Sequence, residues 1–129
     1  MPAWVGIRPL PMEPQPIKRL QRLVAALLIV SSLTHMAQLA VYSRETHVIA
    51  AAAFGVVYGT VGLLLVRGCR AGLWLAITLP SIGGVLGIWR FMFVHRNPFS
   101  VFHVAIDVLV VSICGYMVFR GQEVRRAAD

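Results

Sequence analysis

The sequence predicts an all-α integral membrane protein: an antiparallel bundle of four transmembrane helices with both chain ends on the cytoplasmic side. Three observations lead there. The 129 residues are 58% hydrophobic and only 13% charged, too little charge to clothe a water-soluble domain of this size. The apolar residues gather into four stretches of about 20, the length a helix needs to cross a hydrocarbon core of about 30 Å. Lys and Arg are distributed unevenly across the segments between those stretches, as membrane orientation requires.

The first 17 residues are set apart. Pro2, Pro9, Pro11, Pro14 and Pro16 lie within them, so a continuous helix is not expected and the segment reads as an extended or disordered cytoplasmic tail with Trp4 touching the interface. Lys18, Arg19 and Arg22 then form a basic cluster at the membrane edge. The first span follows at about residues 20–42. Its flanks resemble those of a secretory signal, but the apolar core is longer than usual and Thr34-His35-Met36-Ala37-Gln38 offers no small-residue cleavage site, so it reads as a retained helix.

The polar loop Ser43-Arg44-Glu45-Thr46-His47 leads to the second span, about residues 48–66, and Arg67-Gly68-Cys69-Arg70 leads to the third, about residues 73–94. His95-Arg96-Asn97-Pro98-Phe99-Ser100 precedes the fourth, about residues 101–119, where Pro98 suits a helix entry because a first-turn proline gives up no needed hydrogen bond. The expected division is thus a tail (1–17), a transmembrane domain (18–121) and a second tail (122–129). Short loops make successive helices antiparallel neighbours. Nine Lys and Arg residues fall on the side of the two tails and the second loop, against two, Arg44 and Arg96, on the other. This places both termini in the cytoplasm and the chain in the cell membrane as a multi-pass protein.

Composition also excludes function classes. A net charge of +7 could suit nucleic acid, but the basic residues flank apolar segments and form no stripe with aromatics between them, so no nucleic-acid partner is expected. Cys69 and Cys114 both fall toward the reducing side, where a structural disulfide is not expected, and their spacing matches no zinc motif.

Inside lipid, helices associate through close packing and interhelical hydrogen bonds. Ala51, Gly55, Gly59 and Gly62 form a small-residue stripe on the second span. Gly83, Gly84 and Gly87 form another on the third, after Pro80-Ser81, a place for a kink. Packing within the chain is the favoured use of both stripes, with a homodimer face as the alternative.

The candidate functional residues are polar groups placed at costly depth. An ionisable side chain in the membrane interior costs about 2.5–3.5 kcal/mol on insertion scales and turns toward the bundle interior. The first span carries His35 and Gln38, with Ser31 a turn further in; the third carries Arg90; the fourth carries His103 and Asp107. At a rise of about 1.5 Å per residue, Gln38 and Arg90 lie roughly 6 Å below the outer edge, His35 roughly 10 Å, His103 roughly 3 Å and Asp107 roughly 9 Å. Three helices thus place polar groups in one outer layer. Ser31, His35, Gln38 and Tyr42 share a stripe, His103 and Asp107 are four apart on one face, and Arg90 continues the stripe of Gly83 and Gly87. An Arg90–Asp107 ion pair is the expected centre, because either group alone would be an unpaired charge in low dielectric. Tyr58, mid-membrane, is expected to extend the network inward; the loop residues His47 and His95, with Arg96-Asn97 beside them, form a polar mouth in which simple solvation of the two histidines is the favoured reading and ion collection the alternative.

Three readings follow, in order. The first is a structural or accessory membrane subunit in which the cluster clamps helix register. The second is a small-solute or proton-linked carrier using Asp107 with His35 or His103. The third is a redox subunit holding a metal ion or haem through His35 and His103, with Asp107 as a further ligand or hydrogen-bonded support. No cofactor is expected under the first two. No Gly-x-Ser-x-Gly or His-Glu-x-x-His pattern points to catalysis. The expected partners are the bilayer itself and, for a chain this short, further copies or a larger membrane complex.

Overall fold

The computed structural model describes residues 15–126, with no account of the Val124 and Arg125 side chains. Most of the proline-rich tail, with Trp4, lies outside those residues. Among them the chain forms four α-helices: α1 (Gln15–Val41), α2 (Thr46–Val66), α3 (Arg70–Phe93) and α4 (Pro98–Arg126). All four are long and apolar enough to cross a membrane. A helix satisfies its backbone polar groups internally, which hydrocarbon demands. Large apolar side chains accordingly face outward on every helix, Leu33, Val57, Val85 and Val108 among them.

The helices outrun the apolar windows, because a helix does not stop where its residues turn polar. α1 already includes Gln15-Pro16-Ile17, where a coil was expected; Pro16 sits in the first turn, where its missing N–H is no loss. α4 starts at Pro98, three residues before the apolar stretch, and runs on to Arg126. Asn97 caps it: the Asn97 Oδ1 accepts the Ser100 backbone N–H at 2.8 Å and the Ser100 hydroxyl at 3.2 Å. α2 ends in a Schellman turn. Gly68 takes φ +72°, the Cys69 N–H bonds the Leu64 carbonyl and the Gly68 N–H bonds the Leu65 carbonyl, a conformation that favours glycine. α3 continues through Pro80 without interruption.

The helices associate as two hairpins. In the first, Gly55 lies against His35 and Ser32, Gly59 against Ser32, and Gly62 against Ile29 and Ala25. In the second, Gly83 and Gly84 face Asp107, and Gly87 faces Val104. Rising numbers on one helix meet falling numbers on the next, so each hairpin is antiparallel. The glycines of both stripes therefore meet neighbouring helices within the chain.

The two halves of the bundle differ. Toward the end bearing the 67–69 loop, the hairpins close over an apolar core that includes Val24, Leu28, Val61, Leu65, Val110 and Cys114. Gln21 reinforces it, its Nε2 donating to the Leu65 carbonyl at 2.7 Å. Toward the end bearing loops 42–45 and 94–97, the interior is polar, and α2 and α3 separate.

Candidate functional site

The polar residues singled out in the sequence meet in this second half. His35 and His103, from α1 and α4, stack face to face with ring centroids 3.6 Å apart and planes 5° from parallel. Both belong to a network whose donors can be assigned. The Thr34 hydroxyl points at the Val30 and Ser31 carbonyls, both at 3.0 Å, so its oxygen is free to accept a proton from His103 Nε2 at 2.8 Å. The Gln38 amide nitrogen can only donate, and its contact with His35 Nδ1 at 3.4 Å makes that nitrogen the acceptor. The Gln38 carbonyl oxygen then accepts from Arg90 Nη1 at 3.2 Å. One amide thereby joins α1 to α3, and one hydroxyl joins α1 to α4.

The expected Arg90–Asp107 ion pair does not form. The two side chains lie in different layers. Asp107 faces Gly83 and Gly84, six to seven residues before Arg90 on α3, or about 10 Å along the axis. The depth expected from the sequence was too shallow because α4 begins at Pro98 and not near residue 101, which sinks Asp107 further from the loop. Among the described residues, no carboxylate lies within ion-pair distance of Arg90. Its Nε and Nη2 are buried without a hydrogen-bond partner. Asp107 is 3% exposed, and its Oδ1 is likewise without a partner. The Tyr58 hydroxyl lies beside the Asp107 carboxyl, the two crowding the Cα of Gly83. Tyr58 also meets His35 edge-on, centroids 5.6 Å apart, and so extends the network inward. Ser31 is fully buried, and its hydroxyl has no partner.

Between the layers of Arg90 and Asp107 is a cavity of about 210 Å³. It is framed by α2 and α3, with α4 and His35 of α1 behind. Tyr58, Gly83 and Asp107 form its floor. Ala51, Phe54, Leu86 and Gly87 form apolar walls, and His35 and His103 line the side facing α1 and α4. Arg90 and Trp89 stand higher, and His47, Val94 and Ser100 border the mouth. The cavity exists because Ala50, Ala51, Gly83 and Gly87 place small groups where α2 and α3 face one another.

His47 and His95 lie apart from the stacked pair. His47 approaches Glu45 Oε2 at 3.3 Å, and its ring centroid is 6.1 Å from that of His95, which also meets Tyr42 edge-on. Of these two, only His47 lines the cavity. The stacked rings do not make a metal site. Imidazole lone pairs lie in the ring plane, so two parallel stacked rings direct them alongside each other and not toward one ion. Among the described residues, no group of three or more His, Cys, Asp or Glu side chains is placed to hold a metal ion.

Sequence reasoning missed Thr34, which anchors His103, and the cavity walls Phe54 and Leu86. Thr34 lies about 100° around α1 from His35 and so outside the polar stripe, and apolar wall residues look like any lipid-facing residue. Their shared signal is the run of small residues opposite them, which marks where two helices approach without side chains to fill the gap. Comparison with family models, with curated proteins and with solved structures finds no match for this chain.

Proposed function

We propose that this is a multi-pass protein of the cell membrane that binds a small molecule in the cavity between its two hairpins, in the manner of a small-solute carrier. The observation that carries this reading is the cavity itself, with Arg90 on its upper wall and Asp107 on its floor and no ion pair between them. A concave, largely apolar space on which a few polar groups converge is the usual form of a small-molecule site. The nine-to-two distribution of Lys and Arg supports cytoplasmic termini, so the cavity mouth faces the outside.

The clamp reading has support of its own. Gln38 to Arg90 and Thr34 to His103 tie α1 to both helices of the second hairpin and so fix register. It gives no account of the cavity, however, and the ion pair at its centre is absent. These ties instead hold the cavity walls in place. A chain of this length leaves little room for a wide pathway, so transport would involve further copies.

Access to the cavity tests the proposal. In a Cys69→Ser background, with the buried Cys114 as internal control, an anionic methanethiosulfonate added outside intact cells should modify Ala51→Cys rapidly and the lipid-facing Val56→Cys slowly. Equal, slow modification of both would mean that no outward-facing cavity exists.

A further inference from the structure

We infer that the ligand of this cavity is a small, neutral, largely apolar molecule bearing a carbonyl-type oxygen, its body lying between α2 and α3 and its oxygen accepting a hydrogen bond from His35 Nε2. The inference rests on the binding reading above and names its chemistry. Neutrality follows from what the charged lining residues leave free. Arg90 Nη1 is engaged by the Gln38 carbonyl, and Nε and Nη2 are shut off from the space. Asp107 Oδ1 is shut off in the same way, and its carboxyl lies beside the Tyr58 hydroxyl. An ionic ligand would therefore enter without a free counter-charge, which an apolar setting penalises heavily. The walls of Ala51, Phe54, Leu86 and Gly87 suit an apolar body, and about 210 Å³ limits it to a short chain or a single ring.

His35 supplies the polar contact. Arg90 holds the Gln38 carbonyl oxygen, which turns the Gln38 amide nitrogen toward His35 Nδ1. Nδ1 is then the acceptor, and the single proton of the neutral ring sits on Nε2. That Nε2 bonds nothing among the described residues and, unlike the Arg90 nitrogens, is not sealed off, while its ring lines the cavity. The neighbouring polar groups are already committed: His103 Nε2 bonds the Thr34 hydroxyl at 2.8 Å, and the Ser100 hydroxyl bonds Asn97 at 3.2 Å. A water on Nε2 is the simpler occupant, but a held water needs two or more polar partners, and the apolar walls supply none. Leu86 and Trp89 line the cavity and are also exposed on the outer side of α3, so a lipophilic molecule can enter sideways from the bilayer.

The indole of Trp89 reports occupancy. In a Trp4→Phe, Trp74→Phe background in detergent, 4-bromoacetophenone should quench the remaining fluorescence saturably. Its isostere 4-bromo-α-methylstyrene, with a methylene in place of the oxygen, should need about two- to tenfold more to reach half-saturation. His35→Phe, which keeps a ring against His103 and removes the N–H, should erase that difference. Ala51→Leu, which fills the space, should abolish saturation by both. Circular dichroism confirms that each variant is folded, and one readout needs no variant: the carbonyl stretch of the ketone should fall in frequency on binding to wild type. An unshifted carbonyl, equal half-saturation by ketone and styrene, or a difference that survives His35→Phe would overturn the hydrogen-bond assignment and leave the cavity reading standing. Tighter binding of 4-bromobenzoate than of the ketone would overturn neutrality. No saturable quenching by any of the three would overturn both the assignment and the cavity reading.

Discussion

Arg90 and Asp107 show how far side-chain chemistry alone can be taken. That both face the bundle interior follows from the cost of charge in a membrane, and the structure places both in the lining of one cavity. That they should pair does not follow, because pairing depends on axial register to within about one helical turn, and register depends on where α4 starts. Asn97 and Pro98 set that start, and three residues sink Asp107 by about 5 Å. The consequence is measurable. Arg90→Gln and Asp107→Asn should change stability independently, with a coupling energy in a double-mutant cycle of no more than about 0.5 kcal/mol. Reversible unfolding in mixed micelles reads this. A coupling above about 1 kcal/mol, with the double variant more stable than the singles imply, would restore the ion pair and the clamp built on it.

At the scale of the helices, the sequence was informative about existence and much less so about ends and neighbours. Continuous apolar runs marked all four helices, since a run of that length has few other fates. The ends differed because capping and helix propensity, not hydropathy, decide them: α1 accepts Pro16 in its first turn, and α4 continues past Arg120 as an exposed helix in which Arg120 bonds Glu123 at 3.0 Å. The glycine stripes carried more information. Gly55 touches α1 so closely that an added Cβ would lie 2.8 Å from His35 Cβ and 3.0 Å from the Ser32 carbonyl oxygen, whereas Gly115 has nothing within 4 Å. Gly55→Ala should therefore destabilise the protein by about 1–3 kcal/mol through overpacking. Gly115→Ala should be neutral or stabilise by up to about 1 kcal/mol, as alanine does in a helix. Thermal unfolding of the two variants beside wild type separates them, and equal effects would mean that α1 and α2 do not meet through this stripe.

The arrangement of the whole molecule is where sequence reading stops. Loop lengths give the two hairpins, but nothing in the pattern says that Thr34 of α1 will meet His103 of α4, or that α2 and α3 will stand apart above Tyr58 and Gly83. Those outcomes depend on how two packed hairpins dock, a balance of contacts spread over four helices. One half of the bundle docks through an apolar core, and the other is held by a few hydrogen bonds around an open space. This division gives the molecule one closed end and one that holds a cavity, lined in part by the small residues Ala51, Gly83 and Gly87. Native mass spectrometry of the protein extracted from its membrane in mild detergent tests this most directly, with wild type beside Ala51→Leu. The account predicts a bound small molecule of discrete mass on wild type and none on the variant. A wild-type protein carrying no such adduct, or an adduct that Ala51→Leu retains, would contradict it.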